Sequence, residues 1–210
     1  VFLATGARWR RDGVAREHRN TIPGLDNITV LTPDDVMDGV SSSGSVVIFD
    51  DEHYYMGGVL AEKLRLEGHK VLLVTPAPDI SNWTHHTMEQ GRIQSRLLEL
   101  GVELATQQNL VSVNSKEVEL ACVFTDRRTR HECDTLVLVT ERLPNDELYH
   151  ALQARQEELT EAGIKTLRCI GDCFAPGIIA ASVHSGHLAA REFEDDIPDE
   201  VPFRRESVVV

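Results

Sequence analysis

The chain has 210 residues, enough for one ordinary domain or for one small domain together with part of another. Its 41% hydrophobic and 26% charged residues are typical of a soluble globular protein, and no apolar run approaches the roughly 18 residues of a membrane helix. The net charge of −13 argues against a nucleic-acid-binding protein, because phosphate backbones attract clustered Lys and Arg.

We expect no targeting signal at the start of the chain. Val1–Ala4 has no charged region before it and no cleavage-type segment after it, which predicts that no signal peptide is present and that the protein is cytoplasmic. The chain also opens inside an apolar run without an initiator Met, so we expect it to be cut from something longer.

The clearest pattern is a strand–helix–strand unit. Val46–Phe49 is a continuous β-rich run, as expected for a strand buried on both faces. A polar turn leads to residues 59–66, where Val and Leu recur near helical spacing and Gly68 follows as a stop signal. Val71–Val74 then reads as a second buried strand, which completes a βαβ unit.

The following segment predicts one more helix and three shorter strands. The helix is expected over Met88–Leu100, and the strands at 110–113, 118–124 and 135–139, with residues 126–130 as a polar hairpin turn. Residues 45–140 are therefore predicted to be one compact α/β unit with an antiparallel meander.

The two flanks have too few elements to close a sheet alone. Residues 1–44 offer one strand and a loop, whereas residues 141–210 offer a helix near 147–162, a strand at 166–170 and a helix near 178–193. The fold class predicted is thus α/β, with a Rossmann-like domain (45–140) inserted into part of a second, discontinuous domain (1–44 and 141–210). The crossing points are expected at 41–44 and near Pro144.

Two small-residue motifs are candidates for nucleotide binding. The first strand ends in Ala4, Thr5, Gly6 and Ala7, where glycine lets the backbone approach a nucleotide closely, although a plain tight turn explains it equally well.

The second motif is Gly171-Asp172, at the end of a strand and shortly before a helix that carries small residues on one face. The amides of such a helix start can face a phosphate or a flavin, and the Asp carboxylate can accept hydrogen bonds from sugar hydroxyls. The alternative is that Asp172 is a helix cap. Both motifs at opposite ends of one discontinuous domain are more specific than either alone.

With the turn Thr140–Asn145, in which Glu141 stands where glycine is usual, these motifs resemble flavoprotein reductases with two dinucleotide-binding domains. The chain more closely resembles the C-terminal region of the trimethylamine dehydrogenase and histamine dehydrogenase family. The segments that carry this second resemblance are Ala4–Trp9, Ile22–Gly24, Thr32–Gly39 and Leu60–Leu64.

The resemblance implies an enzyme whose catalytic centre lies outside this chain. An upstream barrel would hold FMN and a 4Fe-4S cluster, the outer domain would be part of a FAD- or ADP-type site, and no catalytic residue is expected here. The full-length protein, a homodimer, would oxidise an amine and pass electrons to a protein such as an electron-transferring flavoprotein. Two alternatives stay open: an NAD(P)H-dependent flavin or enoate reductase, and a non-enzymatic docking module for an electron-transferring flavoprotein.

The inner domain departs from a working NAD(P) fingerprint. Counting back from the helix, Gly57 would be the third glycine, and Glu52 and Tyr54 occupy the first two glycine positions. Asp50 and Asp51 add carboxylates beside the expected phosphates, and like charges at about 4 Å repel by about 1–4 kcal/mol. The second strand ends in Thr75 where a ribose-binding acid is expected. We therefore expect no NAD(P) binding.

The other reactive residues favour no site. Cys169 and Cys173 could approach one another across a turn, but packing in a reducing compartment is the simpler interpretation of the cysteines. His53 with Asp50 and Asp51 could bind a metal, but three such close neighbours seldom converge, so no metal site is expected.

Overall fold

The computed structural model describes residues 1–193. Its strands, in chain order, are β1 (Phe2–Leu3), β2 (Ala7–Trp9), β3 (Thr29–Leu31), β4 (Ser45–Asp50), β5 (Lys70–Thr75), β6 (Glu103–Thr106), β7 (Gln108–Val113), β8 (Glu117–Cys122), β9 (Arg128–Glu132), β10 (Thr135–Val139), β11 (Arg142–Pro144) and β12 (Arg168–Cys169). Its α-helices are α1 (Pro33–Met37), α2 (Met56–Leu66), α3 (Gln90–Glu99), α4 (Glu147–Gln153), α5 (Gln156–Glu161) and α6 (Ile179–Arg191). Short 3-10 helices cover Leu25–Asn27, Asn82–Thr87 and Gly171–Cys173.

The chain divides into two compact units. The inner unit comprises Arg8–Leu143, and the outer unit comprises Val1–Ala7 together with residues 144–193. The outer unit is therefore discontinuous in sequence.

A five-stranded parallel sheet, in the order β3-β10-β4-β5-β6, forms the centre of the inner unit. Successive residues of a strand point to opposite faces, and both faces of this sheet are covered. Val46 and Ile48 pack in a cluster with residues of α2 and α3, whereas Val47 and Phe49 pack with residues of β7 and β8. Burial on both sides explains the unbroken hydrophobic runs of these strands.

The three-stranded antiparallel sheet β7-β8-β9 covers one face of the parallel sheet. Residues 126–130 were predicted to be a hairpin turn, and that prediction was wrong for residues 128–130, which belong to the outer strand β9 and pair with β8. The polar sequence is compatible with a strand because β9 lies at the edge, where Arg128 and Arg130 each form an ion pair with Glu119.

The predicted boundary at residue 44 was also wrong. β3 pairs in parallel with β10, and Ile22, Leu31 and Val36 are buried in the two core clusters of the inner unit. Burial of these apolar side chains holds residues 8–44 in the inner unit, so that only residues 1–7 of the N-terminal flank belong to the outer unit. The second boundary falls at Pro144, close to the predicted one.

The outer unit contains a parallel pair of short strands, β1 and β12, with the registers Phe2↔Arg168 and Leu3↔Cys169. Helices α4, α5 and α6 belong to the same unit, and the predicted helix near 147–162 is divided into α4 and α5 at Ala154–Arg155. Within residues 1–193, no helix is long and apolar enough to span a membrane.

Candidate functional site

The structure brings the two predicted motifs of the outer unit together. Because Leu3 pairs with Cys169, Ala4 and Ile170 leave the two strands side by side, and the Ile170 amide donates to the Leu3 carbonyl at 2.9 Å. The turn from Ala4 to Ala7 therefore begins next to Gly171-Asp172. Gly6 (φ +75°) and Gly171 (φ +62°) both adopt the left-handed conformation that favours glycine.

Asn145 holds the first motif in place. Its backbone amide donates to the Gly6 carbonyl at 2.9 Å, and its side-chain amide donates to the Thr5 carbonyl at 3.1 Å. The Thr5 hydroxyl donates to the Asn145 carbonyl in return. Asn145 thus fixes the conformation of the turn from Ala4 to Ala7.

Asp172 binds the start of α6. Its Oδ1 atom accepts from the Gly177 amide at 3.1 Å and from the Ser182 hydroxyl at 2.8 Å, while the Gly171 amide donates to the Ser185 hydroxyl at 3.0 Å. These contacts connect Asp172 to α6 but do not make it the helix cap, because the N-cap residue of α6 is Ile178 and it has no side-chain capping hydrogen bond. Ser182 and Ser185 were missed in the sequence, where only the small size of the residues on this helix was noted.

A cavity of about 460 Å³ lies within the outer unit. It is lined by residues of α4, β12 and α6 with the loop between the last two: Asp146, Tyr149, His150, Leu167, Arg168, Cys169, Ile170, Cys173, Phe174, Ser185, Leu188 and Ala189. The cavity therefore reaches the strand end that carries Gly171-Asp172.

In the inner unit, Asp50 lies at the carboxyl end of β4, where a dinucleotide would bind in a Rossmann fold. Its side chain is fully buried, and Oδ1 accepts from the backbone amides of Glu52 (3.1 Å) and His53 (2.9 Å). Glu52 Oε2 accepts from the Tyr54 amide at 3.2 Å. The amides of this loop are thus occupied by carboxylates of the chain itself.

Burial is the largest influence on the pKa values of Asp50 and Glu52. It raises the pKa of Asp50 to about 7, against the hydrogen bond from the His53 amide, which acts in the opposite direction. Burial also raises the pKa of Glu52. The Oδ2 atom of Asp50 is buried with no hydrogen-bond partner in the structure, which adds to the cost of ionising this carboxyl group.

Asp51 belongs to a second network of polar contacts. Its Oδ2 accepts from the amides of Glu17 (2.9 Å) and His18 (3.2 Å), and its Oδ1 lies 3.1 Å from His53 Nε2. His53 Nδ1 in turn lies 3.2 Å from the Thr75 hydroxyl. Asp51 and His53 therefore connect the ends of β4 and β5 to the loop at residues 17–18.

These contacts do not fit a bound pyrophosphate in the inner unit. A phosphate needs free amides, but those of Glu52, His53 and Tyr54 are taken by carboxylates. Thr75, at the expected ribose position, is fully buried. Asp50 and Asp51 were expected to repel a bound phosphate, but both side chains are buried and point into the protein. What opposes phosphate binding is instead that the backbone amides already have acceptors.

No group of three or more His, Cys, Asp or Glu side chains able to hold a metal ion is present in the part of the chain that the structure describes. The contacts of His53, Asp50 Oδ1 and Asp51 are with one another, with backbone amides and with Thr75.

Comparison with known proteins places this architecture in a defined class. Residues 31–134 match the family described as the OYE-like second alpha/beta domain. The chain is 34% identical to dimethylamine dehydrogenase from Hyphomicrobium sp. (strain x), over 98% of the chain and 31% of that protein. The structure of histamine dehydrogenase from Rhizobium sp. 4-9 superposes with a TM-score of 0.95 at 44% identity, over 100% of this chain and 33% of the other.

A third relative is 6-hydroxypseudooxynicotine amine oxidase from Pseudomonas geniculata N1, with a TM-score of 0.86 and 37% identity over 92% of this chain and 29% of the other. The inner unit therefore carries an OYE-like second alpha/beta domain. The chain as a whole is homologous to the amine dehydrogenases of the trimethylamine dehydrogenase family. It spans about a third of the length of these relatives.

Proposed function

We propose that this chain is the nucleotide-binding and structural region of a flavin- and iron–sulfur-dependent oxidoreductase that oxidises an amine and passes the electrons to a protein acceptor. The support is the homology to amine dehydrogenases along nearly the entire chain. FMN and a 4Fe-4S cluster would supply the redox chemistry from a region outside this chain. The acceptor would be an electron-transferring flavoprotein.

In this proposal the outer unit is part of a FAD- or ADP-binding Rossmann domain, and its site includes Ala4–Ala7 and Gly171-Asp172. The juxtaposition of the two motifs through β1 and β12 supports it. The α6 helix, whose start follows Asp172, presents small residues near its first turn that would allow a nucleotide to approach. The residues present therefore fit an ADP-type ligand.

The inner unit is a Rossmann-like scaffold that does not take a nicotinamide cofactor. The observation that carries this proposal is the Asp50 carboxylate, which accepts from two amides of the loop before α2. This arrangement weighs against the alternative of an NAD(P)H-dependent reductase, in which these amides would face pyrophosphate.

Titration of ADP into the chain, followed by ligand-observed NMR, tests the outer site. We expect weak binding, with a Kd of about 1 mM, equivalent to about −4 kcal/mol. Gly6→Ala should weaken it at least about tenfold, because an alanine at φ +75° strains the turn that faces the ligand.

Gly163→Ala is the matched control. Gly163 lies in the same unit, has a φ of +71° and, like Gly6, has open space around an added β-carbon. If both variants bind ADP equally well, or if the parent chain gives no ADP signal, the outer-site proposal is wrong. Binding of NADH that survives Gly6→Ala would instead support the reductase alternative.

A further inference from the structure

Two cysteines of the outer unit lie within reach of a covalent bond. The sulfur atoms of Cys169 and Cys173 are 3.4 Å apart, one at the end of β12 and the other in the 3-10 helix that follows. A disulfide needs about 2.05 Å between the sulfurs, so a movement of little more than 1 Å would join them. Both are free thiols in this structure.

The surroundings of the two sulfurs are unequal. The Thr5 hydroxyl lies 3.0 Å from Cys173 Sγ, and the Asn145 carbonyl lies 3.3 Å from it. Burial opposes ionisation of Cys173, but hydrogen bonds from Thr5 and Cys169 outweigh it and lower the pKa of this thiol. Burial and the hydrogen bond to Cys173 raise the pKa of Cys169 to about 11. The pair thus combines a thiol with a lowered pKa and a thiol with a raised pKa.

Small molecules can reach the pair through the cavity. Both cysteines line the same cavity of about 460 Å³, next to Ser185. Cys173 itself is buried, which excludes bulky reagents from its sulfur more strongly than small ones. An oxidant of the size of hydrogen peroxide suits this geometry.

We propose that Cys169 and Cys173 are a redox-active dithiol that hydrogen peroxide oxidises to an intramolecular disulfide. The Cys173 thiolate attacks one peroxide oxygen and breaks the O–O bond, which gives a sulfenic acid and, with one proton, water. The Cys169 sulfur then attacks the Cys173 sulfur and displaces the hydroxyl group as a second water. Two thiols lose two electrons and two protons, and one peroxide becomes two waters.

Oxidation would act on the turn that holds Thr5. Disulfide formation moves the Cys173 sulfur, which contacts the Thr5 hydroxyl and the Asn145 carbonyl in the reduced state. This inference rests on the geometry of the thiols and not on the proposed nucleotide site, so either can fail without the other.

Mass spectrometry on the full chain tests the proposal. The protein is treated with hydrogen peroxide and then unfolded in urea, its remaining thiols are blocked with a maleimide, and the peptides are mapped before and after reduction with dithiothreitol. We expect a loss of about 2 Da, reversible by dithiothreitol, in a linkage between Cys169 and Cys173. Cys122 serves as the internal control, because it is one of the two cysteines of the inner unit and its pKa is lowered, chiefly by a hydrogen bond from Thr125.

Two variants separate the roles of the sulfurs. In Cys169→Ser, Cys173 has no partner and should pass to the irreversible sulfinic acid, with a gain of about 32 Da. In Cys173→Ser, Cys169 should react with peroxide severalfold more slowly than Cys173 does in the parent chain, because burial, the largest cause of its raised pKa, remains after the contact with Cys173 is lost. Circular dichroism confirms that each variant is folded.

Peptide mapping of the chain without substitutions tests the disulfide proposal even if a variant does not fold. Four free thiols after peroxide treatment, or a disulfide that joins Cys122 or two separate chains, would overturn the proposal.

Discussion

The carboxylate of Asp50 occupies the space that a side chain at position 57 would need. A β-carbon built on Gly57 would lie 2.4 Å from Asp50 Oδ2 and 2.9 Å from the Asp50 β-carbon. The glycine near the start of α2, which suggests a remnant of a nucleotide fingerprint, is therefore required by the buried acid of the preceding strand.

Gly57→Ala should destabilise the inner unit by about 2 kcal/mol, because the added methyl group has to displace a carboxylate that is held by two amides. Without that contact, alanine would be favoured in a helix by about 1 kcal/mol. Urea unfolding followed by tryptophan fluorescence measures the effect, since both tryptophans, Trp9 and Trp83, lie in the inner unit.

The matched control for this prediction is Gly91→Ala in α3. No heavy atom lies within 4 Å of a β-carbon added there, so the change should be neutral or slightly stabilising. Equal effects of the two substitutions would show that Asp50 does not restrict position 57.

The buried Asp50 predicts a dependence of stability on pH. Its pKa is about 7 in the folded state against 3.8 for an exposed aspartate, so between these values the folded state binds one more proton than the unfolded state. The free energy of unfolding should therefore fall as the pH rises from about 4 to about 7 and be independent of this group above that range. The full effect would be at most about 4 kcal/mol.

Asp50→Asn should flatten this slope, because the amide keeps an acceptor for the loop and has no charge to bury. A residual slope of the same sign is expected from Glu52, whose pKa is also raised by burial. Asp126→Asn is the control, since the Asp126 side chain is 74% exposed. Urea unfolding at pH 4, 6 and 8 would contradict the prediction if Asp50→Asn and Asp126→Asn retained the same slope.

The Thr5 hydroxyl is expected to set the acidity of Cys173. Thr5→Val removes its hydrogen bond and should raise the pKa of Cys173, whereas Thr5→Ser keeps the hydroxyl and should leave it nearly unchanged. The measurement is the rate of iodoacetamide labelling of Cys173 between pH 6 and 10, followed by peptide mapping. A Val variant that labels with the pH profile of the Ser variant would show that Thr5 does not act on this thiol.

The sequence predicted the central elements well because their signals are local. The apolar runs of β4, β5 and β10 and the glycines after α2 and α3 specify strand and helix directly. The sequence-based prediction assigned residues 8–44 to the wrong unit. The pairing of β3 with β10 joins residues about a hundred positions apart, and such a long-range contact produces no periodic pattern in the sequence.

The polar cluster at the end of β4 and the cysteine pair were evident in the sequence, but their contacts were not. The end of β4 stood out through Asp50–Glu52, but their side chains were expected to face a ligand, and burial turns Asp50 and Asp51 inward. The preference of aspartate for accepting from amides two and three residues ahead is a signal that could have indicated this arrangement. The closeness of Cys169 and Cys173 was considered, yet only the geometry of the turn brings their sulfurs to 3.4 Å.

The occupied amides lead to the final prediction, which concerns NADH. The chain should not bind NADH in the inner unit at millimolar ligand, because the Glu52 and His53 amides already bind Asp50. The experiment is calorimetric and uses a Gly6→Ala background, so that binding of the ADP part of NADH to the outer unit does not contribute to the signal.

Glu52→Gly with Tyr54→Gly removes bulk but leaves the Asp50 carboxylate on the amides, so it should not restore binding. Weak binding should emerge, if at all, only when Asp50→Ala is added, with tryptophan fluorescence as the check that this variant is folded. A micromolar dissociation constant for the Gly6→Ala chain, or for the double glycine variant in that background, would show that Asp50 does not block the crevice and that the inner unit is still a nicotinamide site.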